Sequence, residues 1–251
     1  MIIAERLTKD ADFNLKGFPP MCEPINMHER IIHRIQIARA GFFAGLFITV
    51  CPVFLTTASA DDFGDKATVI FDGKTTKGWE GNAKWFRVQD GAVVAGTLKE
   101  KIPHNEFLCT EKEYGDFELR LEAKLTGQGT NAGIQFRSKR IPNDTELIGY
   151  QADIGTMKNR SIWGALYDES RRRKFLQDNA EASESATNKD DWNELRVVCK
   201  GPHIQIFVNG KQTVDYTEKD DGISQTGIIR LQIHSGPPTE CWYRNIRIRS
   251  L

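Results

Sequence analysis

The chain has 251 residues, with 34 Lys or Arg and 34 Asp or Glu, so its formal net charge at pH 7 is zero. Nucleic-acid binding depends on clustered basic side chains, so this balance gives no electrostatic reason to expect a nucleic-acid partner. The length of chain beyond residue 60 fits one domain with a sizeable hydrophobic core.

The first 60 residues are predicted to lie outside that domain. Three arginines between residues 30 and 39 precede an uncharged run at 40–60, which has an apolar centre and ends in small residues at Ala60. These features are typical of a secretory signal peptide. We therefore expect cleavage after Ala60 and a mature domain at 61–251, exported to the periplasm or the cell exterior and free of the membrane. An uncleaved membrane anchor is the alternative, and Met27 is an alternative start.

Short strands separated by turns are predicted along most of the mature chain. Apolar and polar residues alternate without a break in 117–125, which indicates a strand with one buried and one wet face. Asp90-Gly91 and Asn209-Gly210 are dipeptides that favour tight hairpin turns. Twelve strands are predicted from such patterns: 68–71, 86–89, 92–95, 107–109, 117–125, 133–138, 150–154, 194–200, 203–208, 211–216, 227–235 and 243–249.

A dozen closely spaced strands without crossover helices predict an all-β fold, a two-sheet antiparallel jelly-roll sandwich. The only helical signal is one or two turns around 170–179. Two stretches, 142–147 and 178–190, are predicted to be mobile, the second as a surface loop.

Three of the predicted strands place unusual polar side chains on one face each. Such groups cannot face a hydrophobic core without partners, so the three faces are expected to line one hollow of the sandwich. Amides, an acid, a base and guanidinium groups on rigid strands suit a hydroxylated ligand, and a glycoside or oligosaccharide is the predicted partner. The residues are Gln135 and Arg137, Gln151 and Asp153, and Arg230, Gln232 and His234.

Two residues of this set are the first candidates for catalysis. The pKa of a histidine lies near neutrality, so His234 suits proton transfer. Asp153 is the candidate carboxylate, as a base or as a ligand to a divalent metal together with His234, and an ion pair with Arg137 is the alternative. No metal-binding sequence motif supports the divalent metal, and no other cofactor is predicted. The oligomeric state is left open.

The segment 163–171 is predicted to form a loop at the end of the hollow. Trp163 and Tyr167 could stack on a pyranose ring through their apolar faces. Asp168 and Glu169 follow, Glu169 as a further candidate catalytic group and Asp168 as a substrate ligand, although the sequence does not separate their roles. A solvated loop carboxylate is the alternative for each.

The mature chain has three cysteines, Cys109, Cys199 and Cys241. Export permits one disulfide with one thiol left over. Cys199 falls on the apolar side of a predicted strand, however, so buried free thiols are expected.

Several motifs, taken in order, resemble a known family. They are FDGK at 71–74, GW at 78–79, WFRVQDG at 85–91, YGDFEL at 114–119, NAGIQFR at 131–137, GYQ at 149–151, DWN at 191–193 and LQIH at 231–234. Their order and spacing resemble the 3-keto-disaccharide hydrolase domain family, also called DUF1080, over nearly the whole mature chain. The segment 163–171 resembles a planctomycete-type branch of that family.

The resemblance implies a jelly roll of the concanavalin A-like lectin and glucanase type. It also implies an enzyme that cleaves glycosides whose C3 hydroxyl has been oxidised to a ketone. The ketone acidifies the C2 proton, so a base can remove it, the glycosidic oxygen can leave with the help of an acid, and water can then add.

The chain departs from the commoner family pattern at one position of this face. Gln151 stands where a glutamate is usual, and Asp153 is the nearest carboxylate on the same side. The carboxylate pair of jelly-roll glucanases is absent as well. Beside an exported 3-keto-glycoside hydrolase, which acts by elimination and hydration or by direct hydrolysis, a non-catalytic lectin-like module therefore stays open. A structural or adhesive surface domain is the third hypothesis.

Overall fold

The computed structural model describes residues 63–141 and 146–251. The predicted signal peptide, its cleavage after Ala60 and most of the predicted mobile stretch 142–147 lie outside the described residues. Within the described part of the chain, neither helix is long and apolar enough to cross a membrane.

Sixteen strands and two short helices make up the described part of the chain. They are α1 (Phe63–Lys66), β1 (Thr68–Val69), β2 (Trp79–Glu80), β3 (Phe86–Gln89), β4 (Ala92–Thr97), β5 (Glu106–Tyr114), β6 (Phe117–Gly127), β7 (Asn131–Arg140), β8 (Leu147–Met157), β9 (Arg160–Ser161), β10 (Leu166–Glu169), β11 (Lys174–Gln177), α2 (Ala180–Ala186), β12 (Asn193–Lys200), β13 (His203–Val208), β14 (Lys211–Thr217), β15 (Gly227–Ile233) and β16 (Thr239–Ser250).

The strands form two sheets, which we call the back sheet and the front sheet. The back sheet has the order β14, β13, β12, β6, β16, β4 and β3, with β1 also paired to β16. The front sheet has the order β11, β10, β8, β7, β15, β5 and β2, with β9 also paired to β8. Neighbouring strands are antiparallel in both sheets. The predicted all-β jelly-roll sandwich is confirmed.

The hydrophobic core lies between the two sheets because each strand turns alternate side chains inward. Leu119 of the back sheet and Leu231 of the front sheet belong to the same cluster of buried side chains. Tyr243 of β16 also reaches across this core, since its hydroxyl oxygen lies 2.6 Å from the carbonyl oxygen of Gln232 and 3.1 Å from that of Gly133. The back sheet therefore helps to hold β7 and β15 of the front sheet in register.

Each of the twelve predicted strands has a counterpart, and the two-residue strands β2 and β9 and the hairpin of β10 and β11 add to them. The helical signal around 170–179 is wrong, because β10 and β11 pair there. The helix α2 follows instead, inside the predicted loop 178–190. Asn179 caps it, since its Oδ1 accepts a hydrogen bond from the backbone N–H of Ala182 at 3.0 Å.

The expectation for the cysteines is confirmed. Cys109, Cys199 and Cys241 are all buried and none of them forms a disulfide.

Candidate functional site

Three neighbouring strands of the front sheet bring most of the predicted polar side chains together. Gln135 of β7 lies directly between Gln151 of β8 and Arg230 of β15, and Asp153 and Gln232 lie in the next row with a glycine between them. The alternate residues of each strand belong to the core, so all five side chains lie on the opposite, outer side of the sheet, where none is more than 2% exposed. We call this surface the polar face.

Gly133, the glycine in that second row, makes room for a chain of amide hydrogen bonds. A Cβ atom at this position would lie 2.6 Å from the side chain of Gln151. Gln135 Nε2 donates a hydrogen bond to Gln151 Oε1 at 2.7 Å, and Gln151 Nε2 donates to Asp153 Oδ1 at 2.5 Å. Gln135 of β7 therefore holds the amide of Gln151, and that amide fixes the orientation of the Asp153 carboxyl.

Burial governs the protonation state of Asp153. The residue is only 2% exposed. Burial raises the pKa of its carboxyl to about 8, against the lowering effect of the Gln151 hydrogen bond, and the negative charge of Glu169 raises it further. Because the net shift is upward, Asp153 keeps its proton at neutral pH and can serve as a proton donor.

The predicted loop 163–171 contributes a strand to this site. β10 pairs with β8 so that Tyr167 lies opposite Gln151 and Glu169 lies opposite Gly149. Both side chains are half-buried, and the ring of Tyr167 packs edge-on against Phe175 with centroids 5.2 Å apart. Tyr167 and Glu169 thus extend the polar face by one strand.

Glu169 lies within electrostatic reach of groups from two other segments, Glu146 in one and Arg230 and His234 in the other. Burial raises the pKa of its carboxyl, and so does the negative charge of Glu146. A hydrogen bond from the Ser170 N–H, the imidazole of His234 when it is protonated, and the positive charge of Arg230 lower that pKa. The acid predicted from the segment 163–171 therefore interacts with the guanidinium and the imidazole predicted from 227–235.

Arg230 is a buried cation without a partner. Its side chain is fully buried, and none of its three guanidinium nitrogens has a hydrogen-bond partner among residues 63–141 and 146–251. The guanidinium carbon lies 4.5 Å from the ring centre of Phe107, which supports it from one side. Burial lowers the pKa of Arg230 to about 9, so the group still carries its charge at neutral pH. An unpaired buried charge is costly, and its donors remain available to an acceptor that the described residues do not supply.

Other polar atoms on the polar face are also buried without partners. They are both amide atoms of Gln232, Oε1 of Gln135 and Oδ1 of Asn131. Buried polar groups in folded proteins are almost always hydrogen-bonded, so donors and acceptors left open on one surface indicate a ligand site. Asn131 was missed from the sequence because the predicted strand began at residue 133. The alternation that placed Gln135 on this face would have placed Asn131 there too.

His234 directly follows β15, beyond Gln232. Its Nδ1 lies 2.7 Å from the carbonyl oxygen of Ser235. A carbonyl oxygen only accepts hydrogen bonds, so Nδ1 carries the proton and Nε2 of the neutral ring can accept one. The Ser235 N–H donates to Asn105 Oδ1, and Asn105 Nδ2 donates to Glu146 Oε1, both at 2.9 Å. No sequence pattern pointed to Asn105 or Glu146, because both lie in irregular segments.

Arg137 does not belong to the polar face. Its φ angle is +48°, and the pairing of β7 with β8 shifts register between Phe136 and Lys139. This bulge turns the side chain away, so that the guanidinium donates to the carbonyl oxygen of Gly201 at 2.7 Å and to Asp116 Oδ1 at 3.0 Å. The expectation that Arg137 shares a face with Asp153 is wrong.

Asp168 also lies away from the polar face. It is directly opposite Tyr150 on β8, whose ring belongs to the core. Its carboxylate is fully buried and forms ion pairs with Arg171, at 2.8 Å, and with Arg172. The expectation of a loop carboxylate that contacts substrate is wrong for Asp168, which fixes the β10–β11 hairpin instead.

Trp163 is 7% exposed and belongs to the core cluster. The small part of its surface that is exposed lines a cleft beyond the end of β8 rather than the polar face. The segment 163–171 therefore does not bring Trp163 to the polar face, where Tyr167 lies.

The described residues offer no ready ligand set for a metal. Among residues 63–141 and 146–251, no three His, Cys, Asp or Glu side chains are grouped to hold a metal ion. Asp153 and His234, the pair considered for a divalent metal, come from strands on either side of β7. Two strand spacings separate their backbones by on the order of 10 Å.

The chain was compared with models of known protein families. Residues 66–249 match the model of the 3-keto-alpha-glucoside-1,2-lyase-like domain. The chain belongs to this family. The match includes every strand of the polar face. None of the curated proteins matches the chain.

Solved structures share the fold of this lyase-like domain. A candidate glycosyl hydrolase from Parabacteroides distasonis ATCC 8503 is 18% identical with a TM-score of 0.57, over 77% of this chain and 97% of that one. A second from the same organism is 23% identical with a TM-score of 0.53, over 74% and 100%. The carbohydrate-binding module CBM66 from Bacillus subtilis is 12% identical with a TM-score of 0.52, over 69% and 96%. Likeness at these identities concerns the fold alone.

Gln151 affects which group holds a proton at this site, because a glutamate at position 151 would place a second carboxyl group next to Asp153. The amide of Gln151 donates a hydrogen bond to Asp153, which an ionised glutamate cannot do. Two adjacent carboxyl groups would compete for one proton. In this chain Asp153 carries that proton without such a competitor beside it.

Proposed function

We propose that this lyase-like domain cleaves 3-keto-glycosides by elimination on the polar face. The observation that carries the proposal is the buried guanidinium of Arg230, whose donors have no partner in the part of the chain that the structure describes. A ketone oxygen at C3 would accept hydrogen bonds from it. The enolate formed when C2 loses its proton would accept them more strongly, and such a difference lowers the barrier of the reaction.

The remaining steps need one base and one acid. Nε2 of His234 removes the C2 proton, and the electron pair of that C–H bond passes towards the keto oxygen held by Arg230. When the enolate collapses, a C1–C2 double bond forms and the bond from C1 to the glycosidic oxygen breaks. Asp153 gives its proton to the departing oxygen. His234 then holds one extra proton and Asp153 lacks one, so exchange with solvent restores both.

The products are a free leaving group and a 3-keto sugar with a C1–C2 double bond, to which water then adds. Gln232 and Gln135 present open amide atoms to the sugar hydroxyls, and Tyr167 offers a ring beside them. Glu169, whose pKa is raised, is the second candidate for proton transfer. No carboxylate pair on either side of C1 is needed for this route, unlike glycosidases that use two carboxylates.

Purified domain incubated with a 3-keto-disaccharide tests the proposal. We expect consumption of the keto sugar, and trapping before hydration should reveal an unsaturated ketone by its ultraviolet absorbance. Asp153→Asn and His234→Ala should each lower kcat about a hundredfold or more, the usual contribution of a positioned acid or base. The variant His203→Ala is the matched control, because His203 pairs with Asp215 on the back sheet. Undiminished turnover in both site variants would remove these residues from the mechanism.

A second candidate function is sugar binding without catalysis. The absence of the usual glutamate at Gln151 and the shared fold with a carbohydrate-binding module favour it. This alternative predicts that an unoxidised oligosaccharide binds saturably in calorimetry, while chromatography finds no product from either the oxidised or the unoxidised sugar.

Export and branch membership form part of the same proposal. The domain would act outside the cytoplasm after cleavage behind Ala60, and its segment 163–171 would mark the planctomycete-type branch. Expression of the full sequence in a secreting host, followed by the intact mass of the exported protein, would locate the cleavage site. A mature protein that starts elsewhere than Asp61 would contradict this part.

A further inference from the structure

The amide of Gln135 has a fixed orientation and one open atom. Its Nε2 donates a hydrogen bond to Gln151 Oε1 at 2.7 Å. The side chain is fully buried, and its Oε1 has no hydrogen-bond partner among residues 63–141 and 146–251. If the amide turned over, its oxygen would face the oxygen of Gln151, and two acceptors cannot bond to each other. Oε1 therefore remains an acceptor that is available to a ligand.

The amide of Gln151 is held in the same way, so the orientation of Gln135 does not depend on one contact alone. Gln151 Nε2 donates to Asp153 Oδ1 at 2.5 Å, while Gln151 Oε1 accepts from Gln135. Hydrogen bonds in one chain polarise one another, so a donor that binds Gln135 Oε1 would strengthen the two bonds behind it. The chain therefore favours a ligand that donates at this position.

The open oxygen of Gln135 lies beside the open donors of Arg230. The two residues are directly opposite each other on β7 and β15, and the Cβ atoms of such a pair are about 4.5–5.5 Å apart. None of the guanidinium nitrogens has a hydrogen-bond partner in the part of the chain that the structure describes, so Gln135 does not satisfy them either. An acceptor without a donor and donors without an acceptor thus lie next to each other.

The two open groups require different ligand atoms. A guanidinium only donates hydrogen bonds, so Arg230 suits a carbonyl oxygen. An amide oxygen only accepts them, so Gln135 Oε1 suits a hydroxyl group and excludes a carbonyl, an ether or a fluorine at the same place. A carbonyl oxygen and a hydroxyl group on neighbouring carbon atoms meet both requirements at once. The smallest ligand that satisfies the pair is therefore an α-hydroxy ketone.

We propose that Gln135 determines specificity by accepting a hydrogen bond from the hydroxyl group on a carbon atom next to the ketone that Arg230 holds. The place of the ketone rests on the proposed elimination. In a 3-keto-glycoside the hydroxyl group is that of C2 or that of C4, and the same amide oxygen serves either. A sugar without this hydroxyl leaves a buried acceptor unpaired in the complex, which lowers its kcat/KM.

Analogues that lack one hydroxyl group test this role. For the wild type, kcat/KM for a 3-keto-disaccharide should exceed that for its 2-deoxy or its 4-deoxy analogue about tenfold or more, the effect of one buried acceptor left unpaired. The analogue with the larger loss identifies the hydroxyl that Gln135 binds. Equal values for the parent sugar and both analogues would contradict the role.

Gln135→Met separates the hydrogen bond from the reactivity of the sugars. The variant keeps the length of the side chain and removes the acceptor, so the ratio of kcat/KM for the parent sugar to that for the identified analogue should fall about tenfold. Differences in intrinsic reactivity cancel, because the same two sugars are compared in both proteins. Gln205→Met is the matched control, a half-buried glutamine of β13 in the back sheet, and should leave the ratio unchanged. A wild-type ratio in Gln135→Met, with a native circular dichroism spectrum, would overturn the assignment.

Calorimetry on the wild type tests Gln135 separately from the elimination and without any variant. The probe is 1,5-anhydro-3-ketoglucitol, which has the ketone and both neighbouring hydroxyl groups but no glycosidic bond. It should bind about tenfold more tightly than one of its two deoxy analogues, and a fluorine in place of that hydroxyl should not restore the affinity, because fluorine has no proton to donate. This pattern without turnover of the 3-keto-disaccharide would reject the elimination and keep the role of Gln135. Equal affinities for the parent, deoxy and fluoro probes, or binding of none, would reject that role.

Discussion

Replacement of Asp153 by asparagine should stabilise the folded protein at neutral pH while it removes activity. Burial raises the pKa of Asp153 to about 8, whereas an aspartate in an unfolded chain titrates near 4, to within about a unit. Between these two values the folded protein holds a proton that the unfolded chain has lost. The contribution of Asp153 to the free energy of unfolding is therefore greatest below about pH 4 and falls as the pH rises towards about 8.

The size of the effect follows from the same linkage. One proton of difference changes the free energy of unfolding by about 1.4 kcal/mol for each pH unit. From pH 5 to pH 7 the stability advantage of Asp153→Asn over the wild type should grow by about 3 kcal/mol, against a total stability of about 5–15 kcal/mol for a typical domain. The asparagine oxygen can still accept the hydrogen bond that Gln151 donates, so the Gln151 amide keeps its acceptor.

Urea unfolding, followed by tryptophan fluorescence at pH 5, 6 and 7, measures this difference. Asp215→Asn serves as the control, because Asp215 is exposed and its hydrogen bond with His203 lowers the pKa of its carboxyl. That variant should show no stability gain that grows with pH. Curves for Asp153→Asn and the wild type that stay parallel from pH 5 to 7 would mean that Asp153 is ionised in the folded state, and it would then be no proton donor.

Two further substitutions test the supports of the site. Asp168→Asn should lower the free energy of unfolding by on the order of 2–3 kcal/mol. A fully buried ion pair would lose more, but the partners Arg171 and Arg172 are 24% and 28% exposed. An unchanged melting temperature would contradict this prediction. Asn105→Leu removes the acceptor of the Ser235 N–H, and the carbonyl oxygen of Ser235 is the group that holds Nδ1 of His234. The ring of His234 should therefore lose its single tautomer in ¹⁵N NMR. The value of kcat should fall about tenfold with little change in KM. A wild-type ring spectrum in that variant would show that Asn105 does not position the histidine.

Strand alternation predicted most of the fold and the centre of the site. In 133–138, 150–154 and 227–235 the apolar residues occupy every second position. When the apolar side chains of such a strand are buried, the side chains between them must lie on the opposite face. Gln135, Asp153 and Arg230 were therefore assigned to an outer face before their strands were known to be neighbours. That the three strands are adjacent comes from the pairing of the sheet, which a single sequence does not encode locally.

The errors in the prediction have local physical causes. Arg137 was misplaced because a bulge breaks the period of two, and no sequence signal marks a bulge at an arginine with positive φ. The β10–β11 hairpin was missed because a run of three arginines and a lysine looks solvated, whereas buried Asp168 and partly buried Glu218 pair with two of those arginines. Asn105 acts through the backbone of Ser235, and a contact of that kind leaves no pattern in a sequence.

The polar face buries three polar groups that water would otherwise solvate. Arg230 is charged without a partner, Asp153 is buried as an acid, and the amide of Gln232 makes no hydrogen bond. A sheet can hold such groups because its backbone hydrogen bonds and the core beneath fix the positions of the strands regardless of what the outer side chains do. Each group lacks what a 3-keto-glycoside would bring, namely a carbonyl oxygen for the cation, a glycosidic oxygen for the acid and hydroxyl groups for the amide. The cost of burying these groups and the chemistry proposed for them therefore have the same origin, since groups that were fully satisfied within the protein would have nothing left to offer a substrate.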